Sequence, residues 1–361
     1  MFDFCFLNAK KYNVLFHPIT ALVIIFFWGM MPSRLYAEES CLSPEFKTFT
    51  FYMENDIFAE KDGQYTNGFK LTWTRYGLEQ LPEDAWAHRW LYPVVKRLGF
   101  AKKSGSEKAL TFSVGQNIYT PNDIEETERI PDDRPYAGIL YMELGFHRRF
   151  RNRMHTLGLY AGIVGPHSYA EALQSEGHAL FHNKEPKGWD HQLEDEPVLC
   201  LIYDYKRKMF ASNINAGAGG DIIFNTGAGL GNVKTFCHAG LMMRYGWNVP
   251  NDFGNFPIQP ATCFHSELKE SVCGRHKKKY GAHLFFSAGC QLVLHDILLD
   301  GNTFRDSHNV DKKPVIGIFM GGIGLVTGRV KTVIAYVART KSFDTQSETE
   351  AYGSMNISFH Y

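Results

Sequence analysis

Ala282-His283-Leu284-Phe285-Phe286-Ser287-Ala288-Gly289-Cys290-Gln291-Leu292-Val293-Leu294 alternates along its whole length. The even positions from Ala282 to Leu294, with Cys290 among them, make a greasy face, and His283, Phe285, Ser287, Gly289, Gln291 and Val293 make a mixed one. A period of two sends successive side chains to opposite faces of a strand. One face that is apolar throughout and one that is mixed suit a strand with lipid on one side and a polar lumen on the other.

The same pattern recurs along the chain after residue 45. With membrane strands of roughly 9 to 11 residues as the gauge, about twelve such segments can be read. They lie near 46–56, 65–77, 109–118, 135–149, 154–165, 197–209, 211–224, 229–247, 280–295, 313–327, 329–343 and 353–361. In the last, Ile357, Phe359 and Tyr361 alternate with Asn356, Ser358 and His360, and the chain stops on an aromatic. Beyond the first 37 residues there is no long apolar helical run, and a closed sheet is then the spanning structure that satisfies its own backbone hydrogen bonds. The expected fold is all-β: a twelve-stranded antiparallel transmembrane β-barrel with a short helix in an outward-facing loop. A secreted β-sandwich is the competing reading. Long strands, abundant glycine and aromatics, and the aromatic end favour the barrel.

Residues 1–37 read as an export signal, with Lys10 and Lys11, an apolar run from Ile19 to Met31, then Leu35-Tyr36-Ala37. The barrel domain is expected over 38–361. Of the 38 basic and 38 acidic residues, the signal holds three bases (Lys10, Lys11, Arg34) and one acid (Asp3), which leaves 35 and 37. So balanced a chain offers no broad basic field, and nucleic acid is excluded as a general partner. Cys41, Cys200, Cys237, Cys263, Cys273 and Cys290 remain in a compartment that permits disulfides. Cys263 and Cys273 share one polar connector and are a candidate pair, whereas Cys290 reads as an apolar strand residue.

With both termini on the periplasmic side, the connectors near 78–108 and 249–279 fall there too, where turns are usually short. Residues 83–98, with Trp86, Trp90, Leu91, Val94 and Val95, have the spacing of an amphipathic helix. The loops 57–64, 119–134 and 166–196 fall on the opposite, outward side, and so do all the polar clusters. The third loop carries a helical stretch, Ser168–Asn183, in which Glu171, Gln174 and His178 share a face. Pro186 and Gly188 would end it.

At the first rim, Glu54-Asn55-Asp56-Ile57-Phe58 is followed by Tyr65-Thr66-Asn67-Gly68. Asn55 or Asp56 alone would merely cap a turn. Together with Glu54 and the Tyr65-Thr66-Asn67 group they supply several hard oxygens near one point, as calcium prefers. Arg134, between Asp133 and Pro135, is either a salt-bridge partner or a bidentate phosphate contact. His178 and His182 are four apart, but Ala179 stands where the zinc metalloprotease pattern needs a glutamate. The amide of Gln174 on the face of His178 favours a general-base role instead.

These motifs carry a resemblance. Glu-Asn-Asp-x-Phe, Tyr-Thr-Asn-Gly, Arg-Pro-Tyr-Ala-Gly with Leu140-Tyr141 after it, and Gly-Trp-Asp-x-Gln at Gly188–Gln192 are similar to those of the outer-membrane lipid A 3'-O-deacylase family, in order and spacing through essentially the whole mature chain. The resemblance implies a calcium-dependent esterase between the barrel wall and a loop helix, with lipid A or lipopolysaccharide as substrate among outer-membrane lipids. It also implies the barrel-assembly machinery as the partner for insertion. Carried over by position, it implies catalytic roles for His178, Asn55, Thr66, Gln174 and Glu185, calcium (Ca2+) held by Asp56 and Asn55, and substrate contacts from Arg134 and Lys184. The family's basic pair after the third strand has no counterpart, since Asp123-Ile124-Glu125-Glu126 occupies that stretch. Two competitors use the same scaffold: a passive porin, and an outer-membrane phospholipase built on a serine nucleophile.

Overall fold

The computed structural model describes residues 47–56, 64–76, 106–212, 214, 217–255, 257–258 and 280–361. Twelve strands among them close into one antiparallel barrel: β1 (Lys47–Asn55), β2 (Gln64–Tyr76), β3 (Glu107–Thr120), β4 (Ala137–Phe150), β5 (Arg153–Val164), β6 (Glu196–Ser212), β7 (Ala218–Gly231), β8 (Lys234–Trp247), β9 (Tyr280–Asp296), β10 (Val315–Thr327), β11 (Val330–Arg339) and β12 (Glu350–His360). Each strand pairs with its neighbours in sequence, and β1 closes on β12 from Thr48↔His360 to Asn55↔Gly353. Thr50 Oγ1 donates to Ser358 Oγ across that seam at 3.0 Å. Two α-helices are inserted among the described residues: α1 (Ala170–Phe181) and the single turn α2 (Ile297–Asp300). The barrel lies within the compact unit Pro44–Tyr361. The expected export signal, the helix at 83–98 and the Cys263–Cys273 pair fall outside the described residues.

The alternation of 280–295 is realised in β9. Leu284, Phe286, Leu292 and Leu294 are exposed on the outer face, whereas His283, Gln291 and Val293 are buried inside. Cys290 lies on the outer face and is a free thiol, as are Cys200 and Cys237. Tyr245, Trp247 and Tyr280 are exposed together where β8 ends and β9 begins, as an interfacial aromatic girdle requires.

One strand differs from expectation. β7 runs from 218 to 231, not 211 to 224, and the turn into β8 is Asn232–Val233 rather than the glycine-rich stretch before it. Gly227, in the expected turn 225–228, sits where neighbours come close, like Gly229 and Gly231 at the expected start of the eighth strand, and a Cβ on Gly227 would lie 2.6 Å from the Tyr203 carbonyl oxygen. A Cβ at Gly231 would lie 2.0 Å from the Leu199 carbonyl oxygen, and one at Gly229 would lie 2.4 Å from the Phe236 ring. The strand keeps them for contact, not for bending.

The lumen is charged and packed. Lys70–Glu143 (3.3 Å), Lys206–Asp204 (3.4 Å), Lys208–Asp221 (3.2 Å), Arg244–Asp221 (2.6 Å) and Arg339–Glu350 (3.0 Å) all lie inside with almost no exposure. Buried charges persist only when paired, and a lumen of alternating signs supplies the pairs.

The connector after β8 is long because its first part turns inward. Asp252 is ion-paired to Arg244 and, at 2.6 Å, to Lys331. The Phe253 ring lies beneath the cations of Arg149 (5.8 Å) and Lys208 (5.6 Å). Further on, Ile258 N–H donates to Glu54 Oε1 at 2.8 Å and its carbonyl accepts from Asn117 Nδ2 at 3.4 Å. Asp252 and Phe253 therefore touch β4, β6, β8 and β11 near the rim that holds Lys47 and Tyr361, and Ile258 touches β1 and β3 near the opposite rim. They form a plug.

Candidate active site

The rim opposite the termini carries α1. In register, Asn55 faces Asn67 of β2, Asn67 faces Ile118 of β3, and Ile118 faces Gly138 of β4. This row crosses four strands, or about 14 Å at ~4.8 Å per step. At its β4 end the loop helix docks on the outer face of the wall. A Cβ on Gly138 would lie 2.1 Å from Ala170 Cβ and 2.2 Å from Ser168 Oγ, so only glycine admits this contact. Gln116 Nε2 donates to the Ser168 carbonyl at 2.5 Å. Ile118, Tyr136, Ala170 and Trp189 make a small apolar cluster between wall and helix, separate from the lumen.

The helix enters through a 3-10 turn at Pro166–Ser168 and a left-handed Tyr169 (φ 59°). It contacts β4 and β3. His178 lies eight residues beyond Ala170, about 12 Å along the axis.

At the end of α1, left-handed His182 (φ 57°) turns the chain, and Asn183 N–H bonds to the His178 carbonyl at 2.9 Å. The turn brings the Lys184 carbonyl to His178 Nδ1 at 2.5 Å. A carbonyl only accepts, so Nδ1 carries the proton and the lone pair of the neutral ring sits on Nε2. His178 is buried, whereas His182 is the exposed cap.

Gln174, one turn before His178, is buried and oriented in the same way. Trp189 Nε1–H donates to its Oε1 at 2.9 Å, which assigns the amide and leaves Nε2 as a donor with no partner among the described residues. The Trp189 ring packs on Tyr136 at 4.9 Å, and the Tyr136 hydroxyl donates to the Ile124 carbonyl at 3.1 Å. The Gly188–Gln192 motif therefore acts as a strut between wall and helix.

On the β1–β2 side, a bulge between Tyr65 and Asn67 places Thr66 beside Thr120, with the two hydroxyls 2.9 Å apart. Asn55 and Asp56 are buried at the end of β1. Glu54 and Tyr65 do not join them. Strand alternation turns both into the lumen, where Tyr65 donates to Glu54 Oε2 at 2.9 Å, so the expected oxygen cluster loses these two members. Of the expected oxygens, the Asn55 amide and the Thr66 hydroxyl stay beside the Thr120 hydroxyl, while the Asp56 carboxylate is buried just past the end of β1. All are hard oxygens with one negative charge, a donor set that fits calcium, with waters completing its shell, and not a soft metal. Among the described residues no group of three His, Cys, Asp or Glu gathers to hold a metal.

The other candidates lie elsewhere on the rim. Arg134 is buried in the barrel mouth, donating to the Gln64 carbonyl at 3.2 Å with its guanidinium 5.2 Å from the Tyr119 ring. That position turns it away from His178. Lys184 is exposed and paired with Glu125 at 2.5 Å, and Glu185 is exposed beside it. Gln116, Thr120 and the bond from Trp189 went unread in the sequence. The legible signal was polar residues on an outward face where lipid would demand apolar ones.

Residues 22–361 match the sequence model of a family described as outer membrane protein LpxR. The chain belongs to the LpxR family. Among solved structures it is similar to LpxR from Salmonella typhimurium, with a TM-score of 0.67 at 17% identity over 87% of this chain and 100% of that one. The beta domain of the Bordetella autotransporter BrkA follows at 0.42 and 8% identity over 88% and 99% of the two chains, and the translocator domain of NalP from Neisseria meningitidis at 0.33 and 9% over 88% of each. No curated protein matches the chain in sequence. As an LpxR-family barrel, the protein is a multi-pass outer-membrane protein of a Gram-negative bacterium.

Proposed function

We propose that this protein is a calcium-dependent lipid A 3'-O-deacylase, hydrolysing the 3'-linked acyloxyacyl ester with its site on the outward rim. The observation that carries this reading is the fixed tautomer of a buried histidine on a helix docked against the barrel wall: His178 Nδ1–H is committed to the Lys184 carbonyl, and Nε2 is left as the base. A lipid substrate explains the address. Drawing one acyl chain of about 14 carbons out of a bilayer is unfavourable by on the order of 10 kcal/mol, at roughly 0.8 kcal/mol per CH2. A site on the outer wall lets the chains stay in lipid while the ester meets polar groups.

In this scheme His178 Nε2 takes a proton from water, the water oxygen attacks the ester carbonyl, and the imidazolium returns the proton to the departing sugar oxygen. Gln174 Nε2–H and the Thr66 hydroxyl orient the water or the carbonyl. Calcium held by Asp56 and Asn55 would supply positive charge for the developing oxyanion. No covalent serine is needed, and the phospholipase alternative finds no serine hydrogen-bonded to His178 among the described residues. The plugged lumen does not favour the porin reading. Mass spectrometry of lipid A from cells with and without the gene tests the bond, with loss of the 3'-linked acyloxyacyl group as the expected change. His178→Gln should abolish that loss while a heat-modifiable barrel remains in the membrane, and excess chelator should stop the purified enzyme. Normal turnover in the variant would remove the base from the scheme, and normal turnover in chelator would remove the metal.

A further inference from the structure

Glu54 is fully buried on the lumen side of β1, one residue before Asn55 on the other face and two before the buried Asp56. Its carboxylate accepts three hydrogen bonds from three parts of the chain: Tyr65 hydroxyl to Oε2 at 2.9 Å, Ser354 Oγ to Oε1 at 3.0 Å, and Ile258 N–H to Oε1 at 2.8 Å. Tyr65 is itself held by Asn117 Nδ2 at 2.8 Å. The first two donors are barrel wall. The third is the tip of the plug, which enters from the terminal rim and is anchored there through Asp252 to Arg244 and Lys331. From Asp252 to Ile258 is six residues, so the tip reaches at most about 20 Å above its anchor.

From this geometry we infer that Glu54 is a positioning residue for the outward site, and that the plug, a segment of the periplasmic connector, sets that position from inside the barrel. β1 ends at Asn55, and strand ends are where ladders fray. A carboxylate locked at the preceding residue fixes the direction in which Asn55 and Asp56 leave the wall. A buried carboxylate is strongly unfavourable unless every oxygen is satisfied, so withdrawing the Ile258 donor loosens the corner directly. The outward chemistry thereby becomes answerable to a segment rooted on the other side of the membrane. This inference rests on the deacylase reading for its rate consequence, but not for its mechanical one.

The test uses the full-length, refolded protein in detergent micelles with purified hexa-acylated lipid A. Ile258→Pro removes the donor N–H, Ile258→Ala keeps it, Glu54→Ala removes the acceptor and Glu54→Gln retains an oxygen for Ile258. Two quantities are read: hydrogen exchange of the peptide covering residues 53–58, and kcat and KM for ester cleavage. Ile258→Pro and Glu54→Ala should raise exchange in that peptide, leave β8 to β10 protected, and lower kcat about 10- to 100-fold with KM little changed, the scale of a 1 Å misplacement. Ile258→Ala and Glu54→Gln should stay within about threefold of wild type, a margin well inside that misplacement range. Wild-type exchange or wild-type kcat in both Ile258→Pro and Glu54→Ala overturns the proposal. A wild-type protein that never cleaves lipid A overturns the deacylase reading instead, and exchange alone still decides whether the plug holds the corner.

Discussion

Gly138 is the point at which the helix meets the wall, so adding a single methyl there measures what that contact is worth. In Gly138→Ala the new Cβ would lie 2.1 Å from Ala170 Cβ and 2.2 Å from Ser168 Oγ, where ordinary contact begins at 3.4 Å. The serine oxygen can rotate away, but Ala170 cannot, and the start of α1 must lift by about 1.3 Å to restore van der Waals distance. A helix moves as a rigid rod over 12 Å, so His178 is displaced by about 1 Å from the Asn55–Thr66 side. Misplacement on that scale lowers rate about 100-fold, equivalent to ~2.7 kcal/mol of barrier. The ladder of β3, β4 and β5 is untouched, and heat-modifiability on a denaturing gel should be unchanged. The assay is a time course of lipid A conversion by mass spectrometry with purified enzyme. Ala170→Gly removes the opposing methyl, so the Gly138→Ala/Ala170→Gly pair should recover most of the rate, a coupling that independent sites would not show. A Gly138→Ala enzyme within threefold of wild type would refute the docking of α1 on β4 as the working arrangement.

Trp189→Phe should keep the packing on Tyr136 but strand Gln174 Oε1, a loss of about 1–3 kcal/mol for a buried acceptor. The expected result is a roughly tenfold drop in kcat with an intact barrel, and an unchanged kcat would show that Gln174 does not need its orientation. Asp300, in the loop beyond β9, feels burial that raises its pKa, but hydrogen bonds from His295 and Lys312 outweigh it and hold the carboxyl at about 2, below its ordinary 3.8. Its folded pKa is depressed, so its stabilisation is present above 3.8 and is lost as pH falls toward 2. Pepsin cleavage of the 297–314 loop should therefore be faster in Asp300→Asn than in wild type at the upper end of this window, with the difference vanishing near its lower end. A difference that persists undiminished would contradict the assignment. In planar bilayers the wild-type protein should show no stepwise conductance, whereas Asp252→Ala/Phe253→Ala, which cuts the anchor of the plug, should leak, and a steady wild-type channel would contradict the plugged lumen.

The period-two signal carried the fold. It was legible wherever one face meets lipid, as in β9, expected over 280–295 and observed at Tyr280–Asp296, while the three- and four-residue spacing of Glu171, Gln174 and His178 gave the loop helix, expected over 168–183 and observed at Ala170–Phe181. It failed at β7 because glycines that accommodate close neighbours are written with the same letter as glycines that bend a chain. The site was half legible. His178, Gln174, Asn55 and Thr66 announce themselves as polar groups on an outward rim; Asn55 and Thr66 lie at the ends of β1 and β2, and Gln174 and His178 lie on the loop helix. Glu54 and Tyr65 stand beside them in sequence, yet alternation sends them through the wall. Arg134 reads as a ligand for an outward anion, yet it turns into the mouth of the barrel. The inward course of the segment from Asp252 to Ile258 showed in the sequence only as a connector too long for its side of the membrane, because its partners Lys331 and Glu54 are distant in sequence.

The position of the plug between β8 and β9 also dictates an order of assembly. Four strands, β9 to β12, follow it in the chain, and the β1–β12 seam joins the last of them to the first strand. A segment bearing Asp252 cannot be threaded into a finished cylinder from the terminal rim without parting ion pairs already formed, so the wall must wrap around it. The bolt is in place before the door is hung, and a chain whose plug fails to seat should stall as an open sheet instead of maturing into an empty pore.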